Sequence, residues 1–179
     1  MKRYVALLRR INISGKNKVV MAELKKEIES LMFENVKTYL NSGNVIFSSQ
    51  EENIEKIIKQ IEAMLKKKYD FEIPIFVLEQ ERLKDILEHA PSWWGSDDKA
   101  IYDNLIFMIP PVTFEKVFEE IGEAKVGLEK IQNYKDVIFW SFSRKNYQKT
   151  NWWSKTANTN VSKKLTIRTA NTIRKIVKI

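Results

Sequence analysis

Cationic and amide side chains cluster directly after the first apolar run of this sequence. Residues 9–18 carry four Lys or Arg, together with Asn12, Ser14 and Gly15, and no acidic residue. Backbone N–H groups at a Gly-containing turn that leads into a helix can bind an anion, and nearby cations strengthen the site. A solvated turn is the favoured interpretation of this segment; the alternative is a phosphate or carboxylate site that uses Arg9 and Lys16. Neither the G-x-x-x-x-G-K-S/T motif nor the G-x-G-x-x-G motif is present, so no class of nucleotide is specified.

The C-terminal fifth of the chain holds the entire positive excess. Residues 144–179 contain ten of the 31 Lys and Arg and no Asp or Glu, whereas residues 1–143 carry 21 basic and 23 acidic residues. Such asymmetry favours an anionic partner. Tryptophans are interleaved with these cations, and aromatic faces can stack bases while cations neutralise phosphates. The alternative places the tryptophans in the core. The predicted nucleic-acid-binding residues are Trp152, Trp153, Lys155, Lys163 and Lys164.

Several kinds of chemistry are excluded by composition. The chain has no cysteine and one histidine, His89. Thiolate zinc sites, iron–sulfur clusters and cysteine nucleophiles are therefore absent. Asp97, Asp98 and Asp103 lie in a turn-rich segment, which favours a solvated role over a magnesium site. We predict neither a metal nor a cofactor, and whether the protein is an enzyme stays open.

The apolar spacing predicts a β-α-β-β-α-β order in the first half. Asn41, Ser42 and Gly43 join the two middle strands, because Asn and Gly tolerate the backbone of a tight hairpin. Pro74 argues that the fourth strand starts there or lies at an edge. The strands are predicted at 2–11, 36–40, 44–49 and 71–78, and the helices at 21–31 and 54–65.

The same order is predicted again after a connecting helix and a linker at 91–103. Thr113 is the expected N-cap of the next helix, Gly122 its end, and Asn133 the following turn. The predicted class is α+β, with two ferredoxin-like (α/β-plait) halves at 1–90 and 91–179 and a C-terminal helix. The strands fall at 104–110, 125–131, 136–142 and 164–168, and the helices at 113–122, 144–156 and 169–179.

Two long motifs resemble those of the bacterial DUF1697 family. The stretches "YVALLRRINISGKNKVVMAEL" and "VKTYLNSGNVIFSS" are similar to its opening, and "TIRTANTIRKI" to its end. Arg10 stands where the family has glycine, and Thr169 where it has asparagine. The resemblance implies two α/β-plait halves and no assigned activity. The matching positions are Leu7, Leu8, Arg9, Ile11, Asn12, Gly15, Met21, Tyr39, Ser42, Gly43, Asn44, Val45, Thr166, Arg168, Thr172 and Lys175.

Three functions remain open on these observations. The favoured one is a module that binds nucleic acid or another polyanion through the basic aromatic C-terminal surface. The second is a small-ligand protein or enzyme that holds an anionic metabolite in a cleft between the halves. The third is a dimerisation module that uses a sheet face or Trp93-Trp94. The anion-binding set of the second is Arg9, Asn12, Lys16, Ser42, Asn44 and Arg168, although hairpin chemistry also explains Ser42 and Asn44.

The N-terminal apolar run is too short for a signal peptide or a membrane span. It extends from Tyr4 to Leu8 before two arginines interrupt it, whereas a span needs about 20 apolar residues. The absence of cysteine fits a reducing compartment. We therefore predict a cytoplasmic protein without a membrane partner.

Overall fold

The computed structural model describes all 179 residues, which divide into two compact units. The first unit comprises Met1–Asp85 together with Ile176–Ile179, and the second comprises Ile86–Lys175. Both boundaries fall within helices, the third helix and the last. None of the helices is long and apolar enough to cross a bilayer.

The first unit has the β-α-β-β-α-β order that the apolar spacing predicts. Its four strands form one antiparallel sheet in the order β2-β3-β1-β4, which is the ferredoxin-like arrangement. The predicted fold class is confirmed here. The elements are β1 (Lys2–Leu8), α1 (Met21–Glu29), β2 (Glu34–Tyr39), β3 (Asn44–Ser49), α2 (Ile54–Lys68), β4 (Ile75–Glu79) and α3 (Gln80–Glu88).

Alternating side chains of the sheet build the core of the first unit. Successive residues of a strand point to opposite faces, and Tyr4, Ala6 and Leu8 of β1 pack with the apolar stripes of α1 and α2. Asn53 caps α2, because its side-chain oxygen accepts the Lys56 N–H at 3.1 Å. The last four residues belong to this unit through the Gln80 Nε2 atom, which donates to the Val177 carbonyl at 3.1 Å.

The second unit repeats the element order and the sheet topology. Its antiparallel sheet has the order β6-β7-β5-β8, the counterpart of the first sheet strand for strand. Two 3-10 turns, Tyr147–Lys149 and Val161–Lys164, flank the fifth helix. The elements are β5 (Ile101–Met108), α4 (Phe114–Ile121), β6 (Glu129–Tyr134), β7 (Val137–Ser143), α5 (Trp152–Asn158), β8 (Leu165–Thr169) and α6 (Ala170–Ile176).

The core of the second unit lies on the sheet face that α4 and α5 cover. Ile106, Trp140 and Phe142 of the sheet pack with Val117 of α4 and Trp152 of α5. The predicted ends of α4 are confirmed. The Thr113 hydroxyl accepts the Lys116 N–H at 3.4 Å, and Gly122, with a φ of 88°, follows the last turn.

Four sequence-based boundaries are wrong, and the first two are wrong because a non-glycine residue takes a left-handed φ. Strand β1 ends at Leu8 rather than at residue 11, because Arg10 adopts a left-handed φ of 66°. The second hairpin turns at Lys135 (φ 51°), not at Asn133; Asn133 instead supports the turn by donating to the Lys135 and Val137 carbonyls at 3.0 Å. The predicted linker loses residues 101–103 to β5, and the predicted helix at 144–156 is a 3-10 turn followed by α5.

Candidate functional site

The cationic segment after β1, residues 9–18, forms a tightly folded loop, which we call the strand-one loop. Five of its ten residues have a positive φ, although only one of them is glycine. Non-glycine residues adopt this conformation at a cost of roughly 1–2 kcal/mol each. Two backbone hydrogen bonds between Ile13 and Lys16 and one from the Asn12 N–H to the Asn17 carbonyl close the loop on itself. The surrounding contacts therefore fix its shape.

Asn12 connects this loop to the first hairpin. Its Oδ1 atom accepts the Val19 N–H at 2.8 Å, and its Nδ2 atom donates to the Val19 carbonyl at 3.0 Å and the Asn41 carbonyl at 2.8 Å. A carboxamide has two donor hydrogens and one acceptor oxygen, so both ends of this side chain are engaged within the chain. Asn12 thus positions the loop, while Arg10 and Lys16 remain exposed.

Ser42 and Asn44 belong to the hairpin that joins β2 and β3. Asn44 is completely buried, and its Nδ2 atom donates to the Tyr39 carbonyl at 2.7 Å and to Ser42 Oγ at 3.1 Å. Gly43 between them has a φ of 85°, and a Cβ there would lie 2.7 Å from Ile11 Cδ1. The hairpin explanation accounts for the types of all three residues.

The two arginines of the predicted anion-binding set are partly or largely withdrawn from solvent. Arg9 is half-buried, and its pKa is lowered, first by desolvation and then by the charge of Arg10. Arg168 lies in the second unit on β8, and burial lowers its pKa to about 10. Its Nη1 atom donates to Thr166 Oγ1 and to the Ile167 carbonyl, both at 3.0 Å. The other five members of the set lie in the first unit.

An open groove of about 600 Å³ runs between α5 and the sheet of the second unit. The sheet face contributes Asn104, Trp140, Phe142, Ile167 and Thr169, and α5 contributes the opposite wall. We call this cavity the aromatic groove. Its lining residues are Tyr102, Asn104, Trp140, Phe142, Trp153, Ser154, Thr156, Ala157, Asn158, Ile167 and Thr169, and none of them is charged.

Aromatic rings make mutual contacts along the groove. Tyr102 stacks on Phe142 with ring centroids 5.5 Å apart and planes at 14°, and Trp153 meets Phe142 edge-on at 5.5 Å. Tyr147 lies against Trp153 at 4.8 Å. Tyr102 and Trp153 keep 36% and 45% of their surface exposed, whereas Trp140 and Phe142 are 2% exposed. Two partly exposed rings thus lie above an aromatic floor.

One residue of the predicted nucleic-acid set is placed in the core. Trp152 is fully buried, and its indole Nε1 atom donates to the Gly122 carbonyl at 3.1 Å. It has no free face on which a base could stack, so a stacking role for Trp152 is wrong. The sequence pattern could not separate Trp152 from Trp153. Adjacent residues of a helix point about 100° apart, and the docking of the helix decides which of the two faces the core.

The predicted cations take different positions around this unit. Lys155 on α5 donates to the Ile121 carbonyl at 3.1 Å. Lys163 and Lys164 are exposed in the 3-10 turn that precedes β8, at the opposite end of that strand from Thr169 at the groove. The predicted set leaves out Arg144, Lys145 and Lys149, which belong to the same basic aromatic segment. The Arg144 guanidinium lies 4.1 Å from the Tyr102 ring centroid, and Lys145 and Lys149 are exposed on the segment that follows.

Two glutamates bind backbone N–H groups within the basic region, and Asp97, Asp98 and Asp103 line one cavity together with Arg144. Glu129 is 5% exposed, and its carboxylate accepts the N–H groups of Lys125, Asn151 and Trp152 at 2.8–3.2 Å. Glu120 accepts the Val161 N–H at 2.9 Å. A carboxylate at the first turn of a helix is favourably placed, so Glu129 holds the start of α5. The cations Arg144, Lys145, Lys149, Lys155, Lys163 and Lys164 form no salt bridge with any carboxylate.

The three linker aspartates do not gather into a metal site. No group of three or more His, Cys, Asp or Glu side chains in the chain is arranged to hold an ion. Asp103 lies on β5 and is hydrogen-bonded by the Ser141 hydroxyl, while Asp98 accepts the Ala100 N–H at 2.8 Å. Asp98 therefore has the turn role that its position predicts.

Asn104 and Tyr102 are the groove residues that sequence reasoning missed. Tyr102 was assigned to the linker, and Asn104 to the start of an apolar strand. The available signal was the single carboxamide inside the otherwise apolar run "NLIFMI", because a polar residue at a core position of a strand calls for a partner.

Comparison with known proteins identifies the chain's relatives. A family model described as "Protein of unknown function (DUF1697)" matches residues 1–139. The solved structure of conserved bacterial protein SP0830 from Streptococcus pneumoniae is 32% identical with a TM-score of 0.87, over 99% of this chain and 97% of that one. No curated protein matches the chain. The family expected from the two motifs is thus confirmed over residues 1–139, and the architecture over nearly the whole length.

Proposed function

The chain belongs to the DUF1697 family, and because the description of that family assigns no activity, we propose from the geometry of the second unit that the protein binds single-stranded nucleic acid through the aromatic groove and the cations beside it. The observation that supports this proposal is the pair of partly exposed rings, Tyr102 and Trp153, on an aromatic floor next to cations that lack carboxylate partners.

The exposed rings suit unpaired bases. A base stacked on an aromatic side chain contributes about 1–3 kcal/mol, whatever its identity. Tyr102 and Trp153 both contact Phe142, so their positions are fixed by packing before a ligand arrives. Preorganised rings lose little side-chain entropy on binding. Bases in a duplex present only their edges, which favours a single strand over a duplex.

The flanking cations suit the phosphates. Arg144, Lys145 and Lys149 are exposed and form no salt bridge, so binding a phosphate costs them no existing ion pair. Arg144 already packs against the Tyr102 ring, which places a cation within one nucleotide of a stacking platform. Release of counterions from the strand then drives association, and affinity should fall steeply with added salt.

The test is fluorescence anisotropy of labelled single-stranded 12-mers, with DNA and RNA, at low salt. Trp153→Ala should weaken binding by about 5- to 150-fold, the equivalent of losing one stacked base. Trp93→Ala is the matched control, because Trp93 lies in the same unit but lines a different cavity. Equal affinities of these two variants, or no measurable binding by the wild type at low salt, would contradict the proposal.

A further inference from the structure

We infer that the aromatic groove accepts one unpaired nucleobase and that the Asn104 carboxamide hydrogen-bonds its edge. This inference rests on the proposed function and adds base recognition to it. It depends on three observations. The Asn104 carboxamide has no partner in the protein, no charged residue lines the groove, and the Arg144 guanidinium packs on the Tyr102 ring.

Asn104 is a largely buried residue whose carboxamide has no partner in the protein and is open to solvent. The residue is 7% exposed, and only its backbone takes part in hydrogen bonds, including one from Trp94 Nε1 to its carbonyl at 2.7 Å. The carboxamide lines the groove and binds no other group of the chain. Buried amides are nearly always hydrogen-bonded. Asn44 at the first hairpin illustrates the usual state, because its Nδ2 atom donates twice at full burial.

The strand geometry directs this side chain toward the groove floor. In the register of the sheet, Asn104 lies opposite Trp140 on one side and Thr169 on the other, and both of these residues also line the groove. Side chains of paired residues share one face of a sheet. The carboxamide is therefore held between two groove-lining neighbours on a central strand, where its position is well defined.

The lining fits a neutral, flat ligand with polar edges. No Lys, Arg, Asp or Glu contributes to the groove, so neither a phosphate nor a carboxylate finds a counter-charge inside it. The volume of about 600 Å³ lies within the usual range for small-molecule sites, roughly 300–1,000 Å³. A nucleobase combines a flat π-face, which the aromatic walls can stack, with adjacent donors and acceptors for a carboxamide.

A cation packs on one of the rings that line the groove. Tyr102 forms part of the rim, and the Arg144 guanidinium packs on its ring. A base inside the groove thus meets an uncharged cavity, and a phosphate outside it meets a cation. This division matches the chemistry of a nucleotide within a strand better than that of a neutral hydrophobic ligand.

Adenine is the base expected to bind most tightly. An asparagine carboxamide pairs in two-point fashion with the neighbouring amino donor and ring-nitrogen acceptor of adenine. A pairing of this kind discriminates against other bases by about 5- to 150-fold. The preference should reside in Asn104 alone, because the stacking contacts and the phosphate contacts do not depend on which base is present.

The experiment compares binding of dA8, dC8 and dT8 by anisotropy competition. The wild type should prefer dA8, and Asn104→Leu, which removes the hydrogen bonds at similar volume, should reduce that preference to below about threefold. Near-UV circular dichroism of the tryptophans checks that the variant folds. If the variant does not fold, the wild type is tested with an octamer in which unsubstituted purine replaces adenine. This base lacks the 6-amino donor, so the octamer should bind no better than dT8.

The outcomes separate the inference from the function on which it rests. Equal wild-type affinity for the three oligonucleotides, a preference for a base other than adenine, or an Asn104→Leu variant that keeps the adenine preference would overturn the base-reading role. If Trp153→Ala still weakens all three complexes, the proposed function survives that result. If Trp153→Ala leaves all three unchanged, the proposed function itself fails.

Discussion

The strand-one loop and the aromatic groove both arise from segments rich in cations and amides, yet the structure treats their polar groups differently. In the loop, the Asn12 carboxamide is bonded at both ends to the backbone, and in the adjoining hairpin Asn44 donates twice. In the groove, Asn104 is almost as buried and binds nothing in the protein. An amide that is satisfied internally builds the fold, whereas one left open under a cavity is available to a ligand.

The acidic residues of the two regions lead to the same distinction. Glu129 lies close to the basic segment, but its carboxylate accepts hydrogen bonds from the N–H groups at the start of α5. The lysines above it keep their charge available. A carboxylate that caps a helix does not neutralise a neighbouring lysine, although a count of charges along the sequence treats the two as cancelling. The surface therefore stays positive even though acidic residues lie close to it.

The largest expected effect concerns the support of the groove. Glu129→Gln should lower the free energy of unfolding by about 3 kcal/mol, because a side-chain amide replaces an acceptor that faces several buried N–H groups. All five tryptophans lie between residues 93 and 153, so denaturant unfolding followed by tryptophan fluorescence reports on this unit. Glu123→Gln, an exposed carboxylate in the same unit, is the control. Equal midpoints for the two variants would show that Glu129 does not hold α5.

The corresponding change in the loop should affect stability without affecting binding. Asn12→Ala removes three hydrogen bonds to the backbone and should cost about 2 kcal/mol, measured by far-UV circular dichroism during denaturation. Ser14→Ala, an exposed position in the same loop, should be neutral. Under folding conditions both variants should bind oligonucleotides as the wild type does. A loss of affinity in Asn12→Ala at full folding would instead assign the loop to the ligand.

A charge swap measures which basic surface meets the strand. Lys145→Glu with Lys149→Glu should lower the dependence of log affinity on log salt by about 1.4, since each phosphate contact on a single strand contributes about 0.7. Lys66→Glu with Lys67→Glu makes the same change in net charge on exposed positions of α2 and should leave the slope almost unchanged. Similar slopes for both pairs would mean that overall charge, not the groove region, attracts the strand.

The smallest effect tests the cation beside Tyr102. Arg144→Lys keeps the charge but loses the flat guanidinium that lies over the ring, and it should reduce oligonucleotide affinity by about two- to fivefold. Arg174→Lys, a change of the same type elsewhere in the unit, should have less effect. Unchanged affinity in Arg144→Lys would show that the contact between the Arg144 guanidinium and the Tyr102 ring does not contribute to oligonucleotide binding.

Much of the architecture could be predicted from the residues, because its signals are local. The spacing of Ile54, Ile57, Ile61 and Leu65 predicts α2, and Thr113 and Gly122 predict the ends of α4; the structure confirms all of these. The second hairpin was misplaced by two residues because a non-glycine residue, Lys135, takes the left-handed conformation there. The tertiary contacts offset the conformational strain of this left-handed φ, and a sequence pattern does not contain them.

The candidate site could be predicted only in outline. Composition located the basic aromatic segment, but it could not show that Trp152 enters the core while Trp153 faces solvent. Tyr102 and Asn104 are about 50 residues away from that segment and join it only through strand pairing of β5 with β7 and β8. Whether a buried amide has a partner is a property of packing, which no sequence pattern contains.

The most direct test of a nucleic-acid site in the aromatic groove is the indole N–H region of a 15N-labelled sample, titrated with dA8. The five tryptophans give five signals, assigned with single variants. The Trp153 signal should shift progressively and saturate, while the Trp93 signal, from a different cavity of the same unit, stays in place. A Trp153 signal that does not move at saturating oligonucleotide, with shifts confined to other residues, would contradict the assignment of the groove as the binding site.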